Sequence, residues 1–236
     1  FMMHRYDEAW GEIESSQLED FYTGLARVLL LFREDRDLNR LQTSMLELCP
    51  IYKNMGCGWG AHIANRDYQQ ALSSLSQPEG EVEQAFFTAE DRRRIYTYWL
   101  MKDEERIAQE LPQWRARLEK GRDDAGNFHR PQSYVSLALL TGIQGKAEEA
   151  ERLVKYWFRH QPIDWAERAG THHEACRILG IIGATQAAVK CIRAGTVETS
   201  YVMPFFEPYL PFYDPLRGEP EFIQMLADID RPERQI

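Results

Sequence analysis

The sequence predicts an all-α fold, and three observations lead to that class. Apolar residues recur three and four positions apart over 18–31, 137–143 and 153–157, which is the period of amphipathic helices, and no stretch alternates in the manner of a strand. Turn-forming clusters at 77–80 and 123–127 interrupt these patterns, so each helix must be short. The third observation is an internal repeat, which constrains the architecture more than any local pattern does.

The repeat relates residues 22–50 to residues 134–162 without a gap. Both segments open with Tyr-x-x-Leu-Ala and close with Pro. Both also carry Arg-Leu at corresponding positions, 40–41 and 152–153. A repeat of this length is typical of helical hairpins that stack on one another.

The repeated pattern resembles the tetratricopeptide repeat (TPR), a family whose unit of about 34 residues forms two antiparallel helices. The second copy matches the family's spacing at Tyr134, Leu137, Ala138, Gly145, Ala150 and Pro162. Segments that resemble the start of a second helix also occur at 6–9, 68–71 and 183–188. The resemblance implies a TPR-like α-solenoid of antiparallel helical hairpins.

We predict TPR-like helical repeats over residues 1–203, within which 79–131 form an irregular helical hairpin. Helices are expected at 89–101 and 104–120. Pro112 lies inside the second of these stretches, where it either kinks the helix or starts a new one.

Residues 204–236 are predicted to form a C-terminal extended segment and a capping helix. Four prolines forbid a regular helix over 204–215, while the aromatic residues between them require burial. An extended segment laid on the helices satisfies both conditions. Pro220 suits the first turn of a last helix that ends near Asp230, and the apolar face of that helix would cover the end of the array.

The stretch 212–222 resembles a known ending, Asp-Pro-Leu-Arg followed by Asp-Pro-x-Phe, which closes repeat regions of bacterial multidomain signalling proteins. Here the second motif begins with Glu219 instead of Asp. In those proteins the repeats commonly follow a winged-helix or nucleotide-cyclase domain. The resemblance therefore implies a bacterial source and an output domain that precedes Phe1.

The composition excludes several classes of partner. A net charge of −9 opposes binding to a phosphate backbone, so nucleic acid is not an expected partner. The longest aliphatic and aromatic run, 28–32, is far shorter than the roughly 20 residues that cross a bilayer, so no membrane contact is expected. The first residues lack a secretory or transit pattern, which predicts a cytoplasmic protein. The cysteines, none of them in a C-x-x-C pair, are then expected to be buried, reduced thiols.

The segment His172-His173-Glu174-x-Cys176 is the only compact group of metal-ligand side chains in the sequence. On a helix His172 and Cys176 share one face, and a zinc site is one interpretation. Against it, the pattern is not H-E-x-x-H, and no third ligand lies nearby in the sequence. We therefore expect a packed His and Cys, with no metal and no cofactor.

A glycine-rich stretch, 56–60, surrounds Trp59. It does not match a phosphate-binding loop, because no Gly-Lys-Ser/Thr follows. In a helix each glycine would cost about 1 kcal/mol relative to alanine, so some compensation is expected. Either a neighbouring helix packs closely there, or the stretch forms a ligand hollow beside Trp59 and His62.

No catalytic residue is predicted, because the histidines are scattered and no G-x-S-x-G elbow occurs. We expect a non-catalytic protein-interaction or sensory module that binds another protein, a peptide or another domain of the same polypeptide in a concave groove. In the register of the resemblance, the groove is lined by Thr23, Arg27, Leu31, Val135, Leu139, His173 and Arg177, and Trp59 of the glycine-rich stretch is expected to line it as well. Two alternatives stay open: a small-molecule-sensing helical domain, and a metal-dependent enzyme built on the His172 group.

Overall fold

The computed structural model describes residues 6–15, 21–48, 57–75, 87–160, 165–196 and 206–230. Across these ranges the chain is helical and forms no strand, and one isolated bridge joins Arg122 to Phe128. The all-α class predicted from the sequence is confirmed. None of the helices in these ranges is long and apolar enough to cross a membrane.

Twelve α-helices and two short 3₁₀ helices make up the described ranges. In chain order they are α1 (Tyr6–Ser15), α2 (Phe21–Asp35), α3 (Leu38–Leu48), α4 (Cys57–Ala64), α5 (Tyr68–Ser73), α6 (Ala89–Met101), α7 (Glu104–Glu119), α8 (Gln132–Gly142), α9 (Ala147–Arg159), α10 (Trp165–Ile181), α11 (Thr185–Thr196), η1 (Glu207–Tyr209), η2 (Pro211–Leu216) and α12 (Pro220–Asp230). Each α-helix packs against the next one along the chain, from α1 to α12. Nearest-neighbour packing of this kind is typical of repeat arrays.

Five helix pairs, α2–α3, α4–α5, α6–α7, α8–α9 and α10–α11, are joined by turns of one design. Each turn holds one residue in the left-handed backbone region, in chain order Arg36, Arg66, Lys102, Gly145 and Gly183. In the first three turns the next residue is Asp, whose carboxylate accepts a hydrogen bond from the backbone amide three residues on. In these three pairs the N-cap starts the second helix directly after the turn. In all five pairs the two helices pack on each other across a short turn and form a hairpin.

The region predicted as an irregular hairpin contains α6 and α7, whose bounds match the predicted 89–101 and, within one residue, 104–120. Pro112 lies inside α7 and does not end it. Tyr98 stacks on Trp114 with ring centroids 6.3 Å apart. These rings are buried and hold α6 against α7. Residues 79–86 of the predicted hairpin lie outside the described ranges.

The prediction of an extended C-terminal segment is wrong for its described part. Residues 206–217 wind through η1 and η2, with Pro208 and Pro211 in the first turns, where no amide hydrogen bond is required. Arg217 braces these turns by donating hydrogen bonds to the backbone oxygens of Tyr209 and Leu210. We call residues 206–217 the C-terminal segment.

The last helix begins at Pro220 and ends at Asp230, as predicted. Its Phe222 and Met225 side chains are fully buried. The helix packs on α11, where Arg193 forms an ion pair with Asp228. A helix in this position covers the apolar side of the last pair, as a terminal cap must.

The glycine-rich stretch is helical in its described part, because Gly58 and Gly60 lie within α4. A β-carbon at Gly58 would lie 3.5 Å from Cβ of Ser74, and one at Gly60 would lie 4.0 Å from Cε of Met45. Both separations are ordinary van der Waals contacts, so neither glycine is required by a close approach. The expectation of tight packing at these two positions is wrong.

Candidate functional site

A buried ion pair joins α10 to the C-terminal segment. Arg177 donates two hydrogen bonds to Glu207, from Nε to Oε1 at 2.6 Å and from Nη2 to Oε2 at 2.7 Å. The hydroxyl of Tyr213 donates to the same carboxylate at 3.3 Å. Only 8% of Arg177 and 1% of Glu207 are exposed. A bidentate pair buried on both sides fixes both the position and the direction of the segment.

Aromatic rings surround the guanidinium group of Arg177. Its Cζ lies 5.0 Å from the ring centroid of Phe212 and 5.8 Å from that of Trp59, which are cation–π distances. Phe212 also stacks on Trp59, with centroids 6.2 Å apart, and contacts Tyr96 at 5.0 Å. We call Trp59, Tyr96, Arg177, Glu207 and Phe212 the inner cluster.

The charges in and around the inner cluster shift its pKa values. Burial alone would lower the pKa of Arg177, but the carboxylates of Glu207 and Glu174 outweigh burial and raise it. Burial would raise the pKa of Glu174, and the nearby guanidinium groups, that of Arg177 first, lower it instead. Burial, with the charge of Arg177, lowers the pKa of His173. The region therefore holds charged arginine and glutamate side chains beside an imidazole that favours its neutral form.

A second ion pair attaches the C-terminal segment to the turn between α4 and α5. Arg66 donates to both carboxylate oxygens of Asp214, at 2.5 and 2.8 Å. These hydrogen bonds raise the pKa of Arg66. Burial would raise the pKa of Asp214, but the hydrogen bonds from Arg66 and Arg217 lower it. Both ends of the segment are thus tied to the helices by arginine.

The segment also packs on α2. Tyr209 meets Phe32 edge to face with centroids 5.5 Å apart, and the guanidinium carbon of Arg36 lies 5.3 Å from the Tyr209 centroid. With the contacts of Phe212, the segment touches α2, α4, α6 and α10. These are the first helices of four of the five pairs.

The structure brings three of the predicted groove residues together. Trp59 and His173 both lie close enough to Arg177 to interact with its charge. Val135 and Leu139 of α8, also predicted to line the groove, are core residues with at most 1% of their surface exposed. They therefore offer no surface to a partner.

The remaining predicted groove residues, Thr23, Arg27 and Leu31, form a stripe on α2. Their spacing of four residues places them on one face of the helix. Arg27 is exposed, and its two neighbours in the stripe are half-buried. We call these three residues the α2 stripe; Arg27 is the one predicted groove residue in the described ranges that is exposed.

Sequence reasoning missed the residues that the C-terminal segment contributes to the inner cluster. Glu207 was not singled out, and Phe212 was expected only to be buried. Arg177 was predicted to line the groove for a partner; the structure instead pairs it within the chain. The available signal was an acidic residue among proline-spaced aromatics, in a chain with arginine at predicted groove positions.

A disulfide between Cys176 and Cys191 joins α10 to α11. The expectation of reduced thiols is wrong for this pair, and the expectation of burial is confirmed for both residues. Cys191 is the third metal-ligand side chain that the sequence did not reveal, because it lies on the following helix. Cys49 lies outside the described ranges.

His172 completes this group of side chains. Its Nε2 lies 3.5 Å from Sγ of Cys176 and 3.9 Å from Sγ of Cys191. The same nitrogen lies 2.8 Å from the carbonyl oxygen of Cys191 and donates a hydrogen bond to it. Burial lowers the pKa of His172 to about 4, so the ring is neutral at neutral pH.

Comparison of the chain with family models, with curated proteins and with solved structures found no match. The possible roles of the two groups are therefore argued from their geometry. The inner cluster combines a cation, a carboxylate and aromatic faces, which is the chemistry of peptide recognition. The other group combines two sulfur atoms with an imidazole, which is the chemistry of thiol redox reactions and of soft-metal binding.

Proposed function

We propose that this chain is a non-catalytic interaction module of a larger bacterial signalling protein, a TPR-like solenoid whose inner side binds a protein segment. The observation that carries the proposal is the docked C-terminal segment. It lies against the first helices of four pairs and is held by aromatic contacts and two arginine–carboxylate pairs. In TPR-like arrays the first helices line the concave side, so that side accepts an aromatic, acidic peptide.

The helical hairpins support the solenoid part of the proposal. Each helix packs against the next, and five turns share a left-handed residue. Gly145, in the copy that best matches the TPR pattern, has the same backbone conformation as Arg66 and Lys102, where the sequence match is weak. A repeated turn with repeated nearest-neighbour packing is the physical basis of a solenoid.

The α2 stripe is the surface that we propose for the partner. The inner cluster is filled by the chain's own Phe212 and Glu207, whereas Arg27 is exposed on the same helix that carries Phe32. Its guanidinium can pair with a carboxylate as Arg66 and Arg177 do within the chain. The partner segment should therefore resemble the C-terminal segment in chemistry, with acidic and aromatic residues.

Selection from a random peptide library against the immobilised chain tests this function. We expect the enriched peptides to carry carboxylates next to aromatic residues. Binding of these peptides to Arg27→Ala should be weaker by about 1–3 kcal/mol, because an arginine at the centre of a contact dominates its energy. The melting temperature of Arg27→Ala should equal that of the unmodified chain.

Arg152 provides the matched control, because it is exposed on α9, the second helix of its pair. Arg152→Ala should leave peptide binding unchanged. Arg93 is unsuitable as a surface control, since its guanidinium lies over the Trp59 ring at 5.9 Å. Failure to enrich any peptide, or equal binding by Arg27→Ala and the unmodified chain, contradicts the proposed partner site.

Small-molecule sensing is the second candidate, and two polar atoms favour it. Nδ1 of His173 and Oε2 of Glu174 are buried and have no hydrogen-bond partner among the described residues. A small ligand with N–H or O–H groups would satisfy both atoms beside the inner cluster. A compound that raises the melting temperature of the unmodified chain but not that of Glu174→Gln would favour this function.

A further inference from the structure

Three side chains that can bind a metal ion meet where α10 packs on α11. Nε2 of His172 and the Sγ atoms of Cys176 and Cys191 all lie within 4.8 Å of one another. All three side chains are buried. Two of them come from one helix and the third from its partner, so the hairpin assembles the group.

The separations between these atoms fit a single metal ion. Nitrogen and sulfur ligands bound to one metal at about 2.0 and 2.3 Å lie roughly 3.5–4 Å from each other. The distances from Nε2 of His172 to the two sulfur atoms are 3.5 and 3.9 Å. Two of the three sides of the ligand triangle are therefore already in place. Only the sulfur–sulfur side, which the disulfide closes, must open.

We propose that His172, Cys176 and Cys191 form a redox-gated site for one soft cation, Cu(I). A dithiol reductant opens the site: its two sulfur atoms join in a disulfide, the Cys176–Cys191 bond breaks, and the two protons of the reductant end on the protein thiols. Binding of Cu(I) then displaces both thiol protons and leaves two thiolates and an imidazole as ligands. The reductant supplies both electrons, so the copper ion does not change its oxidation state.

The number of ligands favours Cu(I) over zinc. In the described part of the chain no fourth Cys, His, Asp or Glu belongs to this group. Structural zinc sites use four protein ligands, whereas soft thiolate ligands select Cu(I), which is stable with three. Binding through Nε2 requires His172 to give up its hydrogen bond to the carbonyl oxygen of Cys191 and to carry its proton on Nδ1.

The site is independent of the proposed partner surface. His172 directly precedes His173, which lies beside the inner cluster, and Cys176 directly precedes Arg177, which belongs to it. One position corresponds to about 100° around a helix, so the two pairs lie on different faces of α10. Failure of the metal site would leave the interaction function untouched, and the reverse also holds.

Anaerobic titration with Cu(I) against a chromophoric Cu(I) chelator tests the proposal. The chain should carry Cys49→Ser and Cys57→Ser, so that Cys176 and Cys191 are its only thiols. Half of the sample is reduced with a phosphine that is then removed. We expect one tightly bound Cu(I) per reduced chain and none per oxidised chain. X-ray absorption of the copper-loaded chain should show two sulfur ligands and one nitrogen ligand.

Histidine variants separate a metal site from adventitious thiol binding. In the reduced chain His172→Gln should weaken Cu(I) binding by about 10- to 100-fold, whereas His173→Gln on the neighbouring face should leave it unchanged. Equal copper binding by the oxidised and reduced chains overturns the proposal. Unchanged affinity of His172→Gln, or a preference for Zn(II) in the same titration, also overturns it. If His172→Gln does not fold, the ligand count decides, and two sulfurs without nitrogen overturn the site.

Discussion

Gly180 of α10 lies against the backbone of Phe212: a β-carbon at position 180 would be 2.9 Å from the carbonyl oxygen of Phe212 and 2.6 Å from Cδ1 of Tyr213. A backbone oxygen cannot move aside unless the C-terminal segment moves with it. A side chain at position 180 therefore competes with the segment for the same space. Because that segment places Glu207 against Arg177, the absence of a side chain at Gly180 permits the inner cluster to form.

Gly180→Ala should lower the free energy of unfolding by about 1–3 kcal/mol, as overpacking does in other cores. The loss should appear although alanine favours a helix by about 1 kcal/mol over glycine. Gly60→Ala is the matched control, because its β-carbon would meet Met45 at an ordinary 4.0 Å. Urea unfolding of both variants measures the difference. Equal stabilities would mean that the segment is not closely docked on α10.

Arg177→Ala should be strongly destabilising, because it leaves Glu207 as a buried charge without its partner. Loss of one member of a buried pair typically costs about 3–5 kcal/mol. Arg66→Ala breaks the pair with Asp214, whose side chains are 49% and 36% exposed, and should cost about 1 kcal/mol or less. Denaturant unfolding of the two variants compares them. Similar losses in both would contradict the burial of the Arg177–Glu207 pair.

Helix bounds were the most predictable part of the fold. The bounds of α6, α7 and α12 follow from the helical period, from prolines and from capping residues, which are local signals. The two ion pairs of the C-terminal segment were not predictable in this way, since Arg66 and Asp214 are 148 residues apart and Arg177 and Glu207 are 30 apart. Their pairing depends on how the C-terminal segment crosses the helices, which no local pattern specifies.

The cysteine pair illustrates the same limit. The spacing of His172 and Cys176 predicted that they share a helix face, and the structure places both buried on α10. The position of Cys191 beside them depends on the rotation of α11 about its axis. That rotation is set by packing against α10 and α12, so the disulfide was not expected from the sequence.

His172 should make the stability of the oxidised chain depend on pH. Its pKa is about 4 in the folded chain, against an ordinary value of 6.5, chiefly because of burial. Between these two values the unfolded chain binds the proton more readily, so the free energy of unfolding falls as the pH falls through this window. The total loss should be about 3 kcal/mol. Urea unfolding at several pH values within the window measures the slope.

His172→Gln should flatten this slope, because glutamine does not take up a proton. His160→Gln serves as the control, since it removes another imidazole, an exposed one that directly follows α9. His173, whose pKa is also lowered by burial, contributes with the same sign and should leave a residual slope. A slope that survives His172→Gln unchanged would show that His172 is not the group responsible.

Reduction of the Cys176–Cys191 disulfide should destabilise the metal-free chain by about 3 kcal/mol, the value expected when a cross-link between residues about 15 apart is opened. The double variant Cys176→Ser and Cys191→Ser should show the lower stability with and without reductant. Thermal unfolding in a chelator makes the comparison. In the oxidised chain, chelation alone should change neither helicity nor melting temperature, because both sulfur atoms are already bonded. A loss of structure that added zinc restores would contradict this.

Truncation after Val202 should expose apolar surface and cause aggregation, because it removes the buried Phe212, Tyr213 and Phe222 together. It also leaves Arg177 without the carboxylate of Glu207. A second truncation, after Gly218, separates the two parts of this C-terminal region, since it removes α12 and keeps the C-terminal segment.

The chain that ends at Gly218 should remain monomeric with a lower melting temperature, because this truncation uncovers α11 and leaves the inner cluster intact. The chain that ends at Val202 should form aggregates, seen by size-exclusion chromatography, even at low protein concentration. The contrast follows from which surfaces are uncovered. Truncation after Gly218 uncovers one face of α11, whereas truncation after Val202 also uncovers the faces of α2, α4, α6 and α10 that the C-terminal segment covers. A monomeric chain ending at Val202 with an unchanged melting temperature would show that the C-terminal segment is a passive tail.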